Sequence, residues 1–316
     1  MIEQRSALHL WRYQKQEFRR YWNSGDITLH YSFLMRRLLT IGLLSVSLLG
    51  CSGVFFQPYR DHVQTPKKLG LAYEDVYFQA GDGTPLHAWF LPAEGKMQGT
   101  ILFLHGNAEN ISTHIMSVRW LPARGFNVFL LDYRGYGASG GTASLSGVQE
   151  DVDAALRILL ARKDVDPERV VVFGQSLGGA IAIYNVAHSP YRQHIRALVI
   201  ESAFASYRQI AREKLSGFWL TWPLQWPLSW TVSDAYSPSA TVVNVSPIPL
   251  LIIHGDRDSI VPLHHGQQLY DLAREPKELW AVPDGGHIMA FERQIYRDRF
   301  VAYLTKVLSE PAAVHK

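Results

Sequence analysis

The chain has 316 residues, 47% hydrophobic and 19% charged, a composition that suits one large α/β domain or two small ones and excludes a disordered chain or a coiled coil. Its net charge of +3 is uneven: Met1–Gly50 holds 7 of the 31 Lys and Arg but 3 of the 28 Asp and Glu, leaving the remainder near neutral and without the basic patch that nucleic acid requires. The single cysteine excludes an internal disulfide, and no Cys/His cluster has zinc spacing, so neither a metal nor a cofactor is expected.

In chain order, Met1–Leu34 shows neither steady amphipathic periodicity nor a turn joining it to the next segment. It reads as upstream sequence translated from a misassigned start, with Met35 the true start, or as a basic-aromatic tail touching a membrane. Residues 35–50 bring Arg36 and Arg37, then the apolar run Leu38–Leu49 and small residues, the layout of a secretory signal. The run ends "LLGC", which resembles the lipobox of bacterial lipoproteins. That resemblance implies cleavage before Cys51, lipid on Cys51, and a body on the outward, periplasmic side of a membrane; Ser52 after the cysteine implies the outer membrane. Carried on to Phe56, the same run is about 19 residues, which also suits an uncut spanning anchor. Residues 51–70 are expected to be a tether.

Residues 71–316 are expected to form one domain. "YEDVYFQA" and "LHAWFLP" are β runs joined by a hairpin turn at Asp82-Gly83. "TILFLH", "NVFLLD", "RVVVFG", "ALVIES" and "LLIIHG" are solid apolar runs of the kind found in parallel strands covered on both faces, and "ELWAVP" is a last strand. Helices are expected near Ile111–Arg124, Val148–Lys163, Leu177–His188 and His264–Arg274, with a closing helix after Gln294. The fold class is therefore α/β, an eight-stranded, mostly parallel sheet flanked by helices.

"VFGQSLGG" places G-x-S-x-G between a strand and a helix. Such a corner lifts the Ser176 hydroxyl above the sheet, and Gly174 and Gly178 are expected because side chains there would crowd one another. It also brings the Leu177 amide to a helix N-terminus, where developing negative charge is favoured. A serine nucleophile needs a base, and the base an orienting acid. Asp256 and Asp258 follow the strand "LLIIHG" and His287 follows "ELWAVP", in the chain order that a doubly wound hydrolase uses. Glu201 also ends a strand and is a substitute acid.

These motifs, with "LHGNAEN", "FNVFLLDYRGYGASGG", "ESAFASY" and "PDGGH", resemble the serine hydrolases of the α/β-hydrolase superfamily from about Tyr73 to the last helix. More narrowly they resemble the bud-emergence-protein-like group, related to depalmitoylating α/β-hydrolase-domain enzymes. The resemblance implies an α/β-hydrolase fold and a triad of Ser176, His287 and Asp258 rather than Asp256. It also implies an oxyanion hole made by the amides of Asn107 and Leu177. Glu109 stands where the family's commoner H-G-N-A-G-N has its second glycine, and His105 is expected to be a packed loop histidine.

Substrate choice in that superfamily lies in an insertion after the sixth strand, here about residues 208–245, a short aromatic lid. Trp219, Trp222, Trp226 and Trp230 recur three or four apart, as on one helical face, while Pro223 and Pro227 prevent a long regular helix. They form either a small core fixing the lid, or an acyl-binding wall, or a patch leaning on a bilayer. The expected activity is hydrolysis of acyl esters or thioesters of a small molecule or lipid. Alternatives are amide hydrolysis of the aminopeptidase type and a non-catalytic lipoprotein that binds lipid or a partner.

Overall fold

The computed structural model describes residues 55–310; the 1–34 extension, the 35–50 leader and the lipidation position Cys51 lie outside the described residues. Eight strands form the sheet: β1 (Glu74–Gln79), β2 (Pro85–Leu91), β3 (Gly99–Leu104), β4 (Phe126–Asp132), β5 (Val170–Gln175), β6 (Ile195–Glu201), β7 (Leu250–Gly255) and β8 (Lys277–Val282). Their order is β8-β7-β6-β5-β3-β4-β2-β1. Only β2 runs antiparallel to its neighbours β1 and β4. The other pairs are parallel, so their carboxyl ends gather on one edge.

Every residue of β3, β4, β5 and β7 is buried, which is why each reads as an unbroken apolar run. Phe103, Phe173, Val199 and Ile253 share one core face with Phe300 and Leu304 of the closing helix α5 (Gln294–Ser309). The alternate residues Leu102, Val172, Leu198 and Ile252 are equally buried, on the opposite face by the pleat. There α2 (Leu177–His188) packs on β5 and β6, beside α1 (Leu145–Leu160). Each such buried Val, Leu or Phe contributes about 1.5–3 kcal/mol, so the central strands hold the corner at β5 rigid.

The hairpin forms as expected, with Gly83 at φ 82° and its N–H donating to Ala80 O. The helix expected over Ile111–Arg124 does not form. It is broken into one turn, Ile111–His114, and two 3-10 turns, Ile115–Ser117 and Pro122–Arg124. Pro122 offers no N–H to continue a helix, and the Trp120 indole Nε1 takes up the Ser117 carbonyl at 2.9 Å. Helix α1 begins at Leu145, three residues earlier than expected, because the Ser144 hydroxyl caps the Gly147 N–H.

The described part of the expected tether is a strap laid on the body. Gln57–Pro58 pairs with Ala108–Glu109, Tyr59 O accepts from the Gly137 N–H and from Asn110 Nδ2, and Val63 N donates to Ser112 Oγ. Phe56 is buried and Phe55 packs edge-on to Tyr207 at 4.9 Å. Among the described residues no helix is long and apolar enough to cross a membrane.

Candidate active site

Ser176 sits at φ 52° and ψ −117°, a left-handed corner that a serine adopts only where surrounding structure enforces it. The enforcement comes from close approach. A Cβ at Gly174 would lie 2.4 Å from Gly178 O, while one at Gly178 would lie 2.1 Å from Leu104 O. The crowding anticipated between the two glycines therefore holds at Gly174, but Gly178 is needed against the end of β3. Ser176 N donates to Glu201 O on the neighbouring strand, at 2.8 Å.

Asp258 and His287 meet. His287 Nδ1 donates to Asp258 Oδ2 at 2.8 Å, and Asp258 Oδ1 accepts the N–H groups of Ile260 at 2.9 Å and Val261 at 2.8 Å. Burial acts to raise the Asp258 carboxyl, but the hydrogen bond and charge of His287 and these two amides outweigh it and hold its pKa below the usual range. Asp256, by contrast, is exposed.

Glu201 does not serve His287. Its carboxylate accepts from Gln175 Nε2 at 2.7 Å and from the Ala290 N–H at 2.9 Å, tying the His287 loop to the serine corner. Burial raises its pKa against those bonds. Ser202 Oγ adds a bond from Ile288 N, and Ile288 itself takes φ 51°. Between Ser176 and His287 no hydrogen bond is formed among the described residues; such bonds commonly close only when substrate is bound.

On the β3 side, neither the Asn107 amide nor the Leu177 amide donates within the described protein, so both are available to an oxyanion. Asn107 is held by its side chain: Oδ1 accepts from the Gln57 N–H at 2.8 Å and from the Tyr136 hydroxyl at 3.3 Å. Glu109 adopts φ 70°, the conformation that favours the glycine of the commoner motif. His105 is fully buried, with Nδ1 bonded to Gly106 O, and burial followed by the neighbouring His114 depresses its pKa to about 4, so it is a neutral packed histidine.

Two other groups of side chains gather three ligand-type atoms: His62, His87 and Asp132, and Glu213, His264 and His265. In the first, His62 Nε2 lies 2.8 Å from Asp132 Oδ2 and His87 Nε2 lies 2.8 Å from Asp75 Oδ1, a hydrogen-bonded network that ties the strap to the body. In the second, His265 Nδ1 accepts the Ala205 N–H, which leaves the proton on Nε2 to bond Glu213 at 2.9 Å. A donor Nε2 makes that group a hydrogen-bonded clamp between the lid and the body rather than a metal centre.

The lid comprises α3 (Tyr207–Ser216), a 3-10 turn Trp222–Leu224 and a short helix Gln225–Trp230. Trp219 is 77% exposed and Trp230 67%, with Trp222 and Trp226 also exposed, so the four do not form a lid core. Sequence reasoning missed the strap, whose bonds join residues about fifty apart. It also missed Gln175, whose only clue is its place beside the nucleophile.

A family model described as serine aminopeptidase, S33, matches residues 95–242. The uncharacterized protein YfhR of Escherichia coli K12 is 42% identical over 243 residues, covering 75% of this chain and 82% of that protein. The α/β hydrolase domain-containing protein WAV2 of Arabidopsis thaliana is 37% identical over 235 residues, 71% of this chain and 75% of that protein. Among solved structures, the Pyrococcus furiosus esterase PF2001 superposes with a TM-score of 0.65 at 22% identity, covering 82% of this chain and 99% of that one.

Proposed function

The chain belongs to the α/β-hydrolase family, and on that premise we propose that it is a serine esterase or thioesterase cleaving acyl groups through Ser176, His287 and Asp258. The observation that carries this reading is the His287–Asp258 pair, with its acid oriented by two backbone amides, on the sheet edge that also carries the strained Ser176 corner.

His287 Nε2 takes the Ser176 proton as Oγ attacks the acyl carbonyl. The charge that develops on the carbonyl oxygen is received by the amides of Asn107 and Leu177, each such donor typically supplying on the order of a hundred- to a thousandfold. Asp258 stabilises the imidazolium, which returns its proton to the leaving oxygen or sulfur. Water then repeats the cycle on the acyl-enzyme.

Acyl esters are favoured over aminopeptidase substrates by the lid. Leu215–Ser233 carries no charge, Glu213 is engaged by two histidines, and Asp234 is taken up by Ser206 and the Arg208 N–H, leaving no free carboxylate there for a substrate ammonium. A fluorophosphonate probe should label the wild type and not Ser176→Ala; a folded, unlabelled wild type overturns the proposal.

The lipobox-like end of the leader extends the reading to a lipoprotein held through Cys51 on the periplasmic side of a membrane. Intact mass of the membrane-fraction protein tests it: a chain beginning at lipidated Cys51 is expected, and an unmodified chain retaining Leu38–Gly50 refutes it.

A further inference from the structure

The lid presents an apolar surface too large to be incidental. Phe218, Trp219, Leu220, Trp222, Trp226 and Trp230 are each more than half exposed within thirteen consecutive residues, whereas the body buries its large apolar side chains almost everywhere else. So many exposed aromatic side chains in one short stretch of a water-soluble surface are costly unless something covers them.

We propose that this face of the lid docks on a phospholipid bilayer, with the tryptophans at headgroup level. Three observations choose a bilayer over a protein partner or a second copy. The whole stretch Leu215–Ser233 lacks charge, so nothing in it resists transfer to the headgroup–acyl boundary, and no charged residue within it sets a register for a protein surface. Its flank is basic: Arg208 and Lys214 are exposed, and the Arg212 guanidinium stacks 4.5 Å over Trp226, a set that suits lipid phosphates. The third is the strap. Phe55 packs against Phe204 and against Tyr207, the first residue of lid helix α3, so the first described residue of the strap lies at the foot of the lid.

The clamp from Glu213 to His264 and His265 fixes α3 to the body, while the aromatic residues that follow α3 stay exposed. In this arrangement the lid supplies a non-covalent membrane contact of its own. The inference rests on the lid and on Phe55 at its foot, and holds whether or not the site hydrolyses esters.

The test uses the full chain in mixed phosphatidylcholine and phosphatidylglycerol vesicles whose acyl chains carry bromine, with tryptophan fluorescence as readout. Four of the nine tryptophans belong to the lid. In the variant W219F/W222F/W226F/W230F, which keeps the apolar face but removes its reporters, the lipid-quenched intensity should at least roughly halve. Equal quenched intensity in the two chains overturns the proposal. Quenching that is absent from both, with concentration-dependent dimerisation in solution, also overturns it and assigns the face to a second copy. Fluorophosphonate labelling of both chains reports separately on the catalytic reading and on folding.

Discussion

Replacing Asp258 by Asn is expected to disable the site while leaving the fold intact, and the geometry gives the reason. The Oδ1 position is faced by two converging donors, the N–H groups of Ile260 and Val261, so an amide can place only its oxygen there. Its NH2 then points at His287 Nδ1, where the carboxylate accepted a proton donor at 2.8 Å. Nδ1 is forced to accept, the imidazole proton moves to Nε2, and the atom that must take the Ser176 proton is already protonated. The imidazolium also loses its charged partner. Together these effects should lower kcat about 10³- to 10⁴-fold, equivalent to roughly 4–5 kcal/mol of barrier. The assay is turnover of a short-chain p-nitrophenyl ester, with melting temperature as the control for folding. Asp256→Asn, at an exposed position, should leave turnover unchanged. Glu201→Gln should act chiefly on stability, by about 1–3 kcal/mol, because its single amide oxygen can accept from only one of the two donors, Gln175 Nε2 and the Ala290 N–H, that the carboxylate serves. A folded Asp258→Asn protein within about tenfold of wild type would refute the orientation argument.

Asn107→Ala removes the acceptor of the Gln57 N–H and of the Tyr136 hydroxyl but not the backbone amide; displacement of that amide should lower kcat about ten- to a hundredfold with KM little changed, measured by ester kinetics. Asp132 contributes to acid stability. Burial acts to raise its carboxyl, but hydrogen bonds to His62 and His87 prevail and bring its pKa from the usual 3.8 to about 2. A folded-state pKa below the unfolded one stabilises above pH 3.8, and that contribution of about 2 kcal/mol is lost as pH falls through about 2. Asp132→Asn should therefore lower stability at neutral pH and flatten the acid limb of a urea-denaturation series; an unchanged limb counts against this network.

The sequence by itself determined the eight strands and the serine corner, because both are written in short-range pattern. A strand buried on both faces must be apolar throughout, as "TILFLH" and "LLIIHG" are, and a corner that brings its backbone within contact of β3 admits only glycine at position 178. The resemblance separated Asp258 from Asp256, but the physical difference between them is tertiary: one is buried against two amides and a histidine, the other exposed. The break in Ile111–Arg124 was legible in part, at Pro122, whereas tertiary structure alone decided the strap that pins Asn107 and the role of Glu201 as a tie to Ala290 instead of a partner for His287. It also turned the lid tryptophans outward, where a three-or-four spacing predicts only a shared face and not its direction. Local patterns encode which groups are apolar, strained or capped; which of them meet is set by contacts between residues fifty to ninety positions apart, and those contacts form only when the sheet has brought its carboxyl ends together.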